Sequence, residues 1–240
     1  MITSIFFDLY GTLAGFKPTR FQIQSEACEA FGVALTEEGT ARGYGKADAY
    51  MTEQNSVRPL RERSKRDVEE FFREYESRVL AGSGVEVDLE TAGQIWVAVR
   101  AIPYDMVIFE DVNPALNILK DRGMKLGVLS NMNQPGLELL KKFDLAGLID
   151  FAVTSYEIGS EKPHPPIFLE ALKRAKSNVN ESVHVGDQIG SDIEGAEKIG
   201  ISPILLDRDC NHLGFNRCPR ISSMKELDMA IDQIESLSVI

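Results

Sequence analysis

The chain has 240 residues, 43% of them apolar, which is enough to bury a sizeable core together with a smaller satellite. A formal net charge of -11 disfavours non-specific binding to nucleic acid or anionic lipid. It leaves room for small anionic substrates wherever a local lysine and a metal reverse the field.

Apolar runs recur from end to end, which argues against disorder. None approaches the length of about 18 residues that a membrane span requires. The first residues, MITSIFFDLYG, have no basic lead and carry Asp8 inside the apolar run, so no signal peptide is expected. Cys28, Cys210 and Cys218 do not suggest a disulfide framework, and a reducing cytoplasm is the simple expectation.

Taken in chain order, residues 4–8 (SIFFD) form a short apolar run that stops on an aspartate, as a buried parallel strand does. From about 16 to 105 strand-like runs are scarce. Val68, Phe71, Phe72, Tyr75 and Val79 make an amphipathic stripe at helical spacing, so this stretch reads as an inserted all-helical domain. Val112, Leu116 and Leu119 share a helix face ahead of Arg122-Gly123, and Leu137, Leu140 and Leu145 read similarly after Pro135. Strand-like runs return at 125–130 (KLGVLS), 149–155 (IDFAVTS), 183–187 (VHVGD) and 201–206 (ISPILL). Pro165-Pro166 open the helix of Ile167, Phe168, Ala171, Leu172 and Ala175. A last helix is expected near Ser223, with a capping box to Glu226. The alternation predicts an α/β fold whose core is a five-stranded parallel sheet with helices on both faces. The core domain is expected over 1–15 and 106–240, and the helical cap over 16–105.

Chemistry-bearing residues fall where these strands end. Asp8 closes the first strand in DLYGT, Ser130-Asn131 follow the next, Lys162 stands in EKPHPPIF, and Asp187 and Asp192 stand in VGDQIGSD. In a parallel sheet those ends share one edge.

In order and spacing these motifs resemble those of the haloacid dehalogenase-like superfamily, over nearly the whole chain. The resemblance implies a Rossmann-like sheet with the active site under a helical cap that sets specificity. It implies Asp8 as nucleophile. Asp8, the main-chain carbonyl of Tyr10 and Asp187 would hold Mg²⁺. Thr12 and Ser130 would hold phosphoryl oxygens. Lys162 would neutralise charge, and Asp192 would orient either Lys162 or a metal-bound water; Asn131 joins the catalytic set. The expected substrate is a small phosphorylated metabolite, with no nucleic-acid or membrane partner and a monomer or homodimer as the working unit.

Tyr10 departs from the phosphatase pattern, in which an aspartate at that place serves as general acid and then base. A phenol with a pKa of roughly 10 replaces it poorly near neutrality. DLYGT resembles the first motif of 2-haloacid dehalogenases, which displace halide from carbon and need no proton donor. Against that reading, Asp187 stands in Gly-Asp rather than Ser-x-Asn, and Phe168 stands where those enzymes carry a tyrosine. Arg42 matches no pattern that would make it their substrate-binding arginine. A phosphatase is favoured, with a dehalogenase, carbon–phosphorus chemistry and a non-catalytic binding protein as alternatives.

Other residues read as structural. Arg58, Arg61, Arg63, Lys65 and Arg66 are expected to form a solvated surface and a helix start. Cys210, His212 and Cys218 lack a fourth metal ligand. His164, beside Lys162, is a candidate proton donor, with shaping of the loop as the alternative. Trp96 and Gly214-Phe215 read as packing or turn residues, and Phe71 and Phe72 as cap core.

Overall fold

The computed structural model describes residues 1–237. β1 (Ser4–Phe7) is followed by β2 (Ala14–Lys17) and by four helices, α1 (Arg20–Glu29), α2 (Glu37–Val57), α3 (Lys65–Ala81) and α4 (Leu89–Ala101). Next come β3 (Asp105–Ile108), α5 (Val112–Asp121), β4 (Lys125–Ser130), α6 (Gly136–Lys142), β5 (Phe151–Thr154), α7 (Ser155–Ile158) and α8 (Pro165–Ala175). β6 (Ser182–Gly186), α9 (Glu194–Glu197), β7 (Ser202–Leu206), β8 (Arg220–Ile221) and α10 (Leu227–Leu237) complete the order. The chain forms two compact units, one of residues 1–15 with those from Val107 onward, the other Phe16–Met106.

The first unit is an α/β core. Its six strands are ordered β5-β4-β1-β6-β7-β8, and every neighbouring pair is parallel. Phe7 at the end of β1 pairs with Val128 on one side and Val185 on the other, so the loops after β1, β4 and β6 leave from one edge. The sheet is continued in opposite directions from β1, which opens a crevice at that edge. Side chains such as Phe6, Leu129, Val153, Ile167, Phe168 and Ala196 pack as one buried cluster. The sheet has six strands and not five. β8 is only two residues long and carries no apolar run, so periodicity could not reveal it.

Two smaller expectations fail. Leu140 and Leu145 are buried as expected, but Leu137 is 60% exposed and Leu139 takes its place on the buried face. No capping box joins Ser223 and Glu226. Ser223 Oγ accepts the Lys225 N–H, whereas Glu226 Oε1 accepts from Ser222. The motif is therefore split over two adjacent serines.

The second unit is built from α1–α4. Ser64 caps α3 in a reciprocal box with Asp67, and Asp88 caps α4. Phe71, Tyr75 and Val79 are buried along the α3 stripe. Phe72 stacks on Trp96 at 4.4 Å and Tyr50 on Phe71 at 5.1 Å. α2 and α3 approach backbone to backbone. A Cβ at Gly43 would lie 2.0 Å from the Val79 carbonyl oxygen, and one at Gly82 would lie 2.3 Å from Gly43 N. The basic cluster is not merely a solvated face. Arg63 donates to the Gln54 and Arg58 carbonyls at 2.8 Å each, and Arg58 to the Glu62 carbonyl at 2.7 Å, which closes the turn between α2 and α3.

Candidate active site

Asp8 follows β1 directly. Its N–H donates to the Val185 carbonyl at 2.9 Å, so the ladder with β6 runs through the aspartate and fixes where its side chain leaves the sheet. The chain then turns back within six residues, with Leu13 and Ala14 N–H both bonded to the Leu9 carbonyl. Gly11 makes this turn at φ +87°, a conformation open to glycine at no steric cost. A Cβ there would be 2.3 Å from Asp187 Oδ2, so the missing side chain lets the loop main chain lie against the Asp187 carboxylate. The hydroxyl of Thr12 is buried and makes no hydrogen bond. The Thr12 carbonyl is held by Arg208, whose guanidinium also forks onto Asp111 at 2.9 and 3.0 Å.

Lys162 lies in the loop between α7 and α8. Asn131 holds its main chain on both sides: the Lys162 N–H donates to Asn131 Oδ1 at 2.8 Å, and Asn131 Nδ2 donates to the Lys162 carbonyl at 3.1 Å. The side chain is buried, and its Nζ donates to Asp8 Oδ1 at 2.5 Å and to Asp192 Oδ1 at 2.6 Å. Ser130 is also buried, and its Oγ accepts the Met132 N–H at 3.2 Å. Asp192 sits on the single π-turn Ile189–Ile193, packed beneath Gly186, where a Cβ would meet Asp192 Cγ at 2.3 Å.

One ligand oxygen from each of Asp8, Asp187 and Asp192 lies within 4.8 Å of the others. Among the described ion pairs, the Lys162 ammonium is shared by two of these carboxylates, those of Asp8 and Asp192. Burial raises the Asp8 carboxyl to about 6 in spite of Lys162, and the neighbouring Asp192 charge adds to the rise. Burial acts on Asp192 in the same direction, but Lys162 and His184 outweigh it and hold that carboxyl below the usual range. Burial pulls Lys162 down, and Asp192 and Asp8 more than reverse this, so the ammonium stays charged. The donor set is all carboxylate oxygen, from three side chains that meet within 4.8 Å. The cluster therefore fits a hard divalent cation.

Asp8, Lys162, Asp187 and Asp192 thus converge, Asn131 anchors the lysine, and Tyr10 and Thr12 stand in the loop against Asp187. His164 caps α8 through its position and is exposed. His184 was not singled out from sequence. It is fully buried on β6, its Nε2 lies 3.0 Å from Asp192 Oδ1, and its ring meets Phe168 edge-on at 5.2 Å. Burial lowers its pKa. The available signal was a lone imidazole inside VHVGD, two residues before the glycine that makes room for Asp192.

The sequence profile of the haloacid dehalogenase-like hydrolases matches residues 2–200. The chain belongs to this family. It is 28% identical over 135 residues to a ribulose-1,5-bisphosphate 5-phosphatase of Halopiger xanaduensis, covering 56% of each. It is 38% identical over 101 residues to a glyceraldehyde 3-phosphate phosphatase of Methanopyrus kandleri, covering 42% of this chain and 43% of the relative. The chain spans about half the length of the curated relatives it matches. Among solved structures it resembles a 2-haloacid dehalogenase of Pseudomonas syringae pv. Tomato DC3000 at 25% identity and a TM-score of 0.58. That likeness covers 97% of this chain and 99% of the other. Among the described residues no helix is long and apolar enough to cross a membrane.

Proposed function

We propose that this family member is a Mg²⁺-dependent phosphatase of small phosphorylated metabolites that works through an aspartyl-phosphate on Asp8. The observation that carries the reading is the convergence of Asp8, Asp187 and Asp192, each offering a carboxylate oxygen within 4.8 Å of the others, beside the buried Lys162 ammonium. Asp8, Asp187 and the Tyr10 carbonyl would hold the ion. When bound, it would neutralise the approach of a dianionic phosphoryl group to the carboxylates and fix the geometry of its oxygens.

A carboxylate oxygen of Asp8 bonds to phosphorus as the bond to the leaving oxygen breaks with its electron pair. Water then cleaves the acyl-phosphate, returning Asp8 and inorganic phosphate. Lys162 offsets negative charge on Asp8 and on the transferring group. Asp192 holds the lysine side chain and Asn131 its main chain. Thr12, whose buried hydroxyl has no protein partner, and Ser130 take phosphoryl oxygens. The phosphatases of ribulose bisphosphate and glyceraldehyde phosphate that resemble the chain support a small phosphorylated substrate.

Tyr10 and the likeness to a 2-haloacid dehalogenase favour a second reading, in which Asp8 displaces halide without metal. A panel of phosphorylated metabolites and 2-haloacids, each with and without Mg²⁺, separates the two. The first reading expects Mg²⁺-dependent phosphate release, abolished in Asp8→Asn, and weaker Mg²⁺ binding by calorimetry in Asp187→Ala. Metal-independent halide release with no phosphate release would establish the second.

A further inference from the structure

β6 presents alternate residues to one face, and on that face His184 and Gly186 are consecutive. Gly186 leaves the space into which the Asp192 carboxylate packs. His184, one step earlier, meets the same carboxylate from the side. Asp192 Oδ1 therefore lies between two nitrogens, Lys162 Nζ at 2.6 Å and His184 Nε2 at 3.0 Å, while Oδ2 accepts the Gln188 N–H at 3.1 Å. An ionised carboxylate only accepts, so the proton of this imidazole sits on Nε2. All three side chains are buried.

The arrangement has a consequence for Lys162. Its ammonium is shared between Asp8 and Asp192, and where it sits depends on where Asp192 is held. A carboxylate with only one strong partner can rotate about χ2 and follow the lysine. Oδ2 is held by the Gln188 N–H and, at 3.4 Å, by the Ser191 hydroxyl, while Nε2, from β6, holds Oδ1. With both oxygens fixed, Asp192 becomes a rigid seat, and the lysine is held where it touches Asp8. An apolar side chain at 184 would fill the same volume beside Phe168. The donor at Nε2 is what distinguishes histidine there.

We infer that His184 is a positioning residue: through Asp192 it fixes the ammonium of Lys162 against Asp8. The kinetic part of this inference rests on the reading of Asp8 as the reacting carboxylate; the geometric part does not.

The test compares His184→Met with His184→Gln. The two replacements are close in volume and flexibility and differ mainly in the donor. Two quantities are read in the full chain. One is solvent exchange of the Lys162 ammonium protons, followed by ¹⁵N NMR and assigned with Lys162→Met. The other is kcat and KM for p-nitrophenyl phosphate with Mg²⁺. The expected result for Met is exchange at least about 10-fold faster and kcat lower by about 10–100-fold, the range usual for lost supporting contacts. KM should change by less than about 3-fold, and Gln should recover most of both losses. The inference is overturned if Met matches wild type in both readouts, or if Met and Gln lose equally. It is also overturned if Met fails to fold while Gln folds, which would assign His184 to the fold alone. If Asp8→Asn turns over as fast as wild type, the proposed reaction falls instead, and the exchange difference between Met and Gln decides the inference alone.

Discussion

Each unit of the chain buries a carboxyl completely, and the two have opposite fates. In the α/β core, Asp192 is 1% exposed and stays ionised, because Lys162, His184 and a main-chain N–H face it. In the helical unit, Glu76 is 0% exposed, its Oε1 accepts from the Gln24 amide, and its Oε2 has no hydrogen-bond partner. No cation contacts Glu76 among the described ion pairs, and burial raises its pKa to about 7. Depth is the same in both places. The partner set decides whether the group is a charge or a neutral polar residue. The proposed reacting residues stand at the first kind of site, where a buried carboxylate keeps its charge.

Removing the cation should break this contrast most severely. In Lys162→Met, Asp8 and Asp192 are left buried without a counter-charge. Stability should fall by about 3–5 kcal/mol in urea unfolding at pH 7. Turnover should fall by about 10²–10³-fold in kcat. Retention of wild-type stability would mean that the two carboxyls neutralise one another's cost by sharing a proton.

The Glu76 side of the contrast can be sharpened by pH. A carboxyl raised from 4.5 to about 7 keeps its proton in the fold after the unfolded chain has lost it. Its contribution is therefore complete below pH 4.5, declines as pH rises, and is gone above about 7, a change of about 3 kcal/mol. Asp8, raised to about 6, adds a decline of the same sign that ends about one pH unit earlier. Asp192, which is depressed, contributes above its unfolded value and loses its contribution only in acid. The difference curve between wild type and Glu76→Gln should isolate the slope up to pH 7. A flat difference would show that Glu76 is ionised in the fold.

Adding a carboxylate to the core cluster should matter less. Tyr10→Asp places a short acid in the loop at Gly11. With Mg²⁺ present it should raise the ratio of alkyl to aryl phosphate turnover by about 10-fold or more, because alkoxides need a proton to leave. An unchanged kcat/KM ratio would remove Tyr10 from the place of the missing acid.

The smallest effects belong to the surface of the helical unit. Arg66 pairs with Glu70 one helical turn away and is 86% exposed, so Arg66→Ala should leave Tm unchanged. Arg63→Ala should cost about 1 kcal/mol by thermal melting, since its guanidinium closes a turn on main-chain oxygens.

The sheet was legible in the sequence because its strands are short apolar runs that end on polar and acidic residues, and Asp8, Lys162, Asp187 and Asp192 do meet. β8 was not legible, being two residues without a pattern. Leu137 misled because helical spacing fixes a face but not which neighbour covers it. Asn131 was grouped with the reacting residues, whereas it binds the main chain of Lys162, a contact between residues 31 positions apart that no local motif records. His184 escaped for a related reason. Its significance lies in a partner on the next turn of chain, and Asp192 reaches it only because Gly186 has no side chain.

The close passage of α2 and α3 bears on anyone who would engineer this protein. By helix propensity alone, Gly39 and Gly43 invite replacement by alanine, a change that gains about 0.5–1 kcal/mol in an open helix. Here a methyl at 43 would drive into the Val79 carbonyl, and one at 39 would lie 2.3 Å from Ser83 Oγ. A stabilising library built on consensus or propensity would therefore collect its failures along this seam. Gly32 and Gly84, which have no atoms within 4 Å of where a Cβ would stand, are barred instead by their positive φ. Among these four glycines none is a free position, two for want of space and two for want of a permitted backbone.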